Sequence, residues 1–216
     1  MMRCLHLGLA AGLLLTTVAG AAPRLFYSKY FKGSEPEYTE ITLERSGEIT
    51  YREAKDDDNP IKAQMSAADV QEIFSLADKL EHFQHPVESG LKVANMGAKT
   101  FRFEDGNEKH EVQFNYSIDP TAQALLDWFE RIAETEQDFI RLDRTVHYEK
   151  LGVNDALLLL QISQEHKRTV APEQFLPLLD RVAKNESYLH IARERAAALA
   201  EAIRKPPSTQ PEKAQP

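Results

Sequence analysis

Apolar residues alternate with polar ones along the first half of the chain and recur at helical spacing along the second. From Phe26 to Tyr116 the period is mostly two, the spacing of strands with one buried face, with one helical insert. From Pro120 to Arg204 it is helical throughout. This pattern predicts an α+β fold: antiparallel β-hairpins with a packed helix, then a small C-terminal helical bundle, with the boundary near Ile118-Asp119-Pro120.

The first strand is expected over Leu25 to Phe31, and a hairpin over Tyr38 to Glu53 turning at Arg45-Ser46-Gly47. A three-residue loop with Gly47 left-handed pairs Leu43 with Ile49 and Ile41 with Tyr51, which puts the apolar residues on one face. A two-residue turn would oppose Leu43 to Thr50 and Ile41 to Arg52, so the longer loop is expected. After a polar loop from Lys55 to Pro60, Ser66 and Asp69 form a capping box. The helix it opens carries Val70, Ile73, Phe74, Ala77 and Leu80 on one stripe and stops before Pro86. A second hairpin, Thr100 to Ser117, turns at Asp105-Gly106-Asn107; an even loop keeps Phe101 and Phe103 on the side of Val112, Phe114 and Tyr116.

Asp119 followed by Pro120 reads as a cap and first helical residue, and Leu125, Leu126, Phe129, Ile132 and Ala133 give that helix its buried face. Further helices are expected at about Asn154 to Lys167, Pro172 to Lys184 and Ser187 to Arg204, with Asn154 and Ser187 as caps. The last has a stripe of Ile191, Ala192, Arg195, Ala198, Leu199 and Ala202. The proline-rich segment from Lys205 to Pro216 has no apolar face and is expected to be disordered.

The start of the chain follows another rule. Arg3, an apolar run from Leu5 to Val18 and the small residues Ala19-Gly20-Ala21 have the layout of a secretory signal peptide, with cleavage expected after Ala21. The run is shorter than the roughly twenty residues that cross a bilayer as a helix. Cys4 precedes the run, so it cannot be a lipid-bearing cysteine following one. The chain thus divides into a leader (1–21), a sheet domain (22–118), a helical region (119–204) and a tail (205–216). Cleavage removes the only cysteine, so the mature protein is expected to be disulfide-free, secreted or periplasmic, and without a transmembrane segment.

Composition narrows the partners. The formal charge is −8, and no basic cluster offsets it, which argues against nucleic acid. The short run His166-Lys167-Arg168 reads as a solvated helix end.

The run Phe31-Lys32-Gly33-Ser34-Glu35-Pro36-Glu37-Tyr38-Thr39, followed by Ile41, Gly47 and Tyr51, resembles a family of small secreted bacterial domains of unknown function. Their first hairpin opens with Cys-Phe-Gly-Ser/Thr-Cys-Pro-x-Tyr-Thr. The resemblance spans about residues 25–135 and implies an α+β fold and an envelope location. Phe31 and Glu35 stand at its two cysteine positions, so no disulfide or redox role carries over.

No catalytic, cofactor-binding or metal-ligating set assembles in the sequence. His82 and His85 have a spacing two imidazoles on one metal could use, but a third ligand is missing, and an exposed helix end is expected instead. Asp56-Asp57-Asp58-Asn59 lacks the alternation and glycine of a calcium loop. There is no Gly-x-Ser-x-Gly elbow or glycine-rich phosphate loop. Tyr116, Trp128 and Phe129 are expected to be core plus rim, and the connection from Gly90 to Gly97 is where a binding site could be grafted.

The leading expectation is a non-catalytic exported protein that acts through protein or surface contacts with a partner in the envelope, and needs no cofactor. The alternatives are a hydrolase or metal-dependent enzyme whose site converges only in three dimensions, and an inhibitor or adaptor that offers the sheet edge near Phe26 to Phe31 for strand addition.

Overall fold

The computed structural model describes residues 22–205. The leader and the tail beyond Lys205 lie outside the described residues. The described chain is α+β, with a six-stranded sheet and five α-helices. The strands are β1 (Arg24–Tyr30), β2 (Tyr38–Glu44), β3 (Glu48–Arg52), β4 (Ile61–Gln64), β5 (Ala98–Asp105) and β6 (Glu108–Phe114). They lie in the order β4-β3-β2-β1-β5-β6, and every neighbouring pair is antiparallel.

The first hairpin has the expected register, with Leu43 opposite Ile49 and Ile41 opposite Tyr51. Gly47 makes it possible in two ways. Its φ is +92°, and a Cβ there would come within 2.8 Å of the Met65 carbonyl oxygen. The Met65 amide donates back to the Gly47 carbonyl at 2.9 Å, tying the turn to the end of β4. The second hairpin closes with Asp105 opposite Glu108, so its loop has the expected even length and Phe101 faces Val112. Tyr116 falls beyond the end of β6 and is half-buried. β4 has no counterpart in the sequence reading; with four residues, it is too short for alternation to stand out.

Helix α1 (Ala67–Lys79) begins as the capping box predicts, with the Ser66 hydroxyl accepting from the Asp69 amide at 3.2 Å. The Asp69 carboxylate closes the box by accepting from that hydroxyl at 2.8 Å. Val70, Ile73, Phe74 and Ala77 are buried against the sheet. Complete burial of Ile73 and of Phe74 contributes about 1.5–3 kcal/mol each.

Helix α2 (Pro120–Tyr148) is capped by Asp119, whose carboxylate accepts from the amides of Thr121 at 2.7 Å and Ala122 at 3.0 Å. Its first half buries Leu125, Phe129 and Ile132 in the sheet core. It then continues unbroken, and Leu142 and Val146 belong to a second core with the remaining helices. At about 1.5 Å per residue the helix is about 44 Å long and is shared by both cores.

The second core is built from α3 (Val153–Glu165), α4 (Leu176–Lys184) and α5 (His190–Arg204), with a 3-10 turn, Pro172–Phe175, leading into α4. Neither Asn154 nor Ser187 caps a helix: α3 starts after Gly152 and α5 after Leu189, without a side-chain cap. Asn154 instead accepts from Arg195 through its carbonyl and side chain. The buried face of α5 is also rotated from the expected stripe and consists of Ala192, Ala196, Leu199, Ala200 and Ile203. So many alanines give the helix little contrast between faces, so its apolar pattern does not mark which one is buried. Nor is Arg168 a solvated helix end. Lys167, at φ +56°, turns the chain after α3, and Arg168 reaches Asp127 at 2.5 Å and Glu134 at 2.8 Å on α2.

Candidate functional site

Rotation of α5 leaves Ile191, Ala198 and Ala202 of the expected stripe exposed, with the buried Leu199 at their inner margin. Ile191, Ala198, Leu199 and Ala202 line one wall of a groove whose other wall is Gln161, Gln164 and Glu165 on α3. The groove holds about 490 Å³. Ile191 is 53% exposed, and Leu158 and Ile162, within a turn of Gln161 and Glu165, are each about 40% exposed. Leu158 and Ile162 stand one helical turn apart on α3, so their exposed side chains are neighbours.

The charges around the groove are arranged unequally. Arg195, half-buried in the lining, donates to the Gln161 side chain at 3.1 Å and to Asn154, so it ties α5 to α3. Glu165 takes a hydrogen bond from Gln161 at 2.8 Å, and Glu194 lies 3.1 Å from His190. The lining therefore carries Glu165 and Glu194 against the single guanidinium of Arg195, together with amides, and the wall is aliphatic. It suits the apolar stripe of a third helix flanked by basic residues.

The sites weighed in the sequence fall elsewhere. His82 lies in a left-handed 3-10 turn, Glu81–Phe83, where all three residues have positive φ. Its ring stacks on Phe103 at 4.0 Å, and its Nε2 lies 2.8 Å from Asp78; it is half-covered, not at an open helix end. His85 points away and pairs with Glu81 at 3.2 Å. Among the described residues no three His, Cys, Asp or Glu side chains gather as metal ligands would. In the acidic loop, Asp57 accepts from the Asn59 amide at 2.9 Å, a local turn.

Trp128 and Phe129 go to different partners. Phe129 stacks on Tyr27 at 5.0 Å in the core, while the Trp128 ring nitrogen donates to Glu72 on α1 at 3.3 Å. The Gly90 to Gly97 connection is pinned at its end: the Asn115 side chain accepts from the Met96 amide at 2.6 Å and donates to the Ala94 carbonyl at 2.9 Å. The buried Lys99 ammonium donates to the carbonyls of Met96 at 3.1 Å and Asn115 at 2.8 Å. Burial lowers its pKa, and Lys29 nearby adds to the effect.

Strand addition at Phe26 to Phe31 is overturned. β1 is an inner strand, paired with β2 on one side and β5 on the other, so its backbone groups are taken. The edges are β4 and β6. The sequence missed this because the partner that covers β1, the strand beginning at Ala98, lies far along the chain.

One carboxylic acid is strongly perturbed. Glu136 on α2 is fully buried, and burial raises its pKa to about 7 against the opposing effect of the Gln174 hydrogen bond. It is enclosed on α2, where Gln174 on the turn before α4 donates to it at 3.0 Å. No described helix is long and apolar enough to cross a membrane. No protein-family model and no curated protein matches this chain.

Proposed function

We propose that this is an exported, non-catalytic binding protein that captures a basic amphipathic helix of a protein partner in the groove between α3 and α5. The observation that carries the reading is the groove itself: an aliphatic wall of Ile191, Ala198, Leu199 and Ala202, and a lining in which Glu165 and Glu194 face the single Arg195. A second copy of this acidic chain is a poorer occupant, because its own rim would meet like charge. Export rests on the leader at residues 1–21 and on the resemblance of residues 25–135 to secreted domains.

The test places a photo-crosslinking residue at Ala198 or Ile191, and at Lys62 as a control on the far sheet edge, in the native host. The crosslinked peptides are then identified. The expected result is a recurrent basic, helical segment of one protein at the two groove positions, lost when Ala202→Asp is added, and absent at Lys62. Crosslinks to this chain alone, to segments without basic flanks, or equally at all three positions would overturn the reading. Export is checked separately by N-terminal sequencing of the mature protein, which should begin at Ala22.

A further inference from the structure

The sheet has a second face, opposite the one covered by α1 and α2, and its side chains are set out in rows by the strand register. Glu40, Ser28, Thr100 and Gln113 stand directly across from one another on β2, β1, β5 and β6. The next row toward the end of β1 holds Tyr38, Tyr30 and Ala98. The row on the other side holds Phe26, Arg102 and Glu111. Small side chains in the middle and rings at the ends make a shallow hollow of about 470 Å³. Tyr30 and Phe26 are four residues apart, so the hollow runs about 14 Å at about 3.4 Å per residue. Tyr30 is 50% exposed at one end of the hollow.

The charges beside this hollow are nearly all matched internally. Arg102 lies over the Phe26 ring at 3.6 Å and pairs with Glu104 at 2.9 Å and Glu111 at 3.4 Å. Glu40 accepts from Arg52 at 2.9 Å and from the Tyr38 hydroxyl at 2.5 Å. Lys55 stands over the Tyr38 ring at 5.6 Å, at the margin. An anionic ligand would meet Glu40 and Glu111, and a cationic one would compete with arginines already seated. A peptide strand would find no free backbone group, because this is a face and not an edge. What the face offers is an exposed aromatic ring together with hydroxyls, an amide and carboxylate oxygens, which is the chemistry that receives an uncharged molecule rich in hydroxyl groups.

We propose that this sheet face binds a neutral oligosaccharide of two or three units, with Tyr30 stacked on the C–H face of one sugar ring and Ser28, Thr100 and Gln113 bonding its hydroxyls. This site is separate from the helical groove and does not depend on it. The experiment is an amide-resolved NMR titration of the protein with maltotriose, cellotriose and triacetylchitotriose, with trigalacturonate as the acidic control. At least one neutral trisaccharide should shift the amides of Ser28, Tyr30, Thr100 and Gln113 saturably at millimolar concentration. Loss of one stacking ring in Tyr30→Ala should weaken binding about tenfold or more, while Tyr30→Trp retains it. Ser28→Phe, which fills the floor, should abolish binding while the rest of the spectrum stays native. The proposal is overturned if no neutral trisaccharide binds, if the shifts map elsewhere, if Tyr30→Ala or Ser28→Phe binds as the parent does, or if trigalacturonate binds more tightly.

Discussion

Gln174, on the turn before α4, donates from its side-chain nitrogen to the carboxyl group of Glu136 in the middle of α2 at 3.0 Å. The other carboxyl oxygen is buried without a hydrogen-bond partner among the described residues. Burial of such a group favours its neutral form and raises its pKa.

Stability should therefore depend on pH in a stated direction. The folded pKa of Glu136, about 7, lies above its unfolded value, so the native state binds the extra proton between about pH 4.5 and 7. Its contribution is fully present at the acid end and is lost as pH rises through 7, a change on the order of 3 kcal/mol. Urea melts at pH 5 and pH 8 should show the loss, and Glu136→Gln should flatten it. A Glu136→Gln protein with the same pH slope as the parent would count against this account.

Gly47 and Gly106 both have positive φ, at +92° and +57°, but differ in surroundings. An added methyl at Gly106 meets nothing within 4 Å, so Gly106→Ala should cost only about 1–2 kcal/mol for the backbone conformation. At Gly47 it also strikes the Met65 carbonyl, so Gly47→Ala should cost clearly more, about 3 kcal/mol or above. Paired chemical denaturation curves measure the difference.

Lys99 and Asn115 together hold the end of the Gly90 to Gly97 connection. Lys99→Met keeps the stem but leaves carbonyls without their donor. It should destabilise by about 1–3 kcal/mol and speed hydrogen exchange at the Met96 amide. Unchanged exchange at Met96 would mean the loop is held by Asn115 alone.

The two serines expected to cap helices should now separate. Ser66→Ala removes a hydroxyl that accepts at the start of α1 and should cost about 1 kcal/mol. Ser187→Ala removes no cap and should fall within about 0.5 kcal/mol of the parent. Thermal melts of the two variants under one condition test the contrast.

The sequence by itself determined the α+β class, the register of both hairpins and the starts of α1 and α2. Each depends on residues close together in the chain: the parity of Ile41, Leu43, Ile49 and Tyr51, the reach of Ser66 to Asp69, the bond from Asp119 to Ala122. The tertiary structure decided the rest. Whether β1 is an edge depended on β5, far along the chain, and which face of α5 is buried depended on its packing in the second core, because its alanine-rich sequence marks no face. Both candidate surfaces follow from those long-range choices. The α3–α5 groove exists because α5 leaves Ile191, Ala198 and Ala202 exposed, and the hollow on the sheet exists because pairing placed β1 between β2 and β5, setting Ser28 and Thr100 side by side. Local patterning specifies which residues prefer burial; only packing decides which exposed side chains become neighbours.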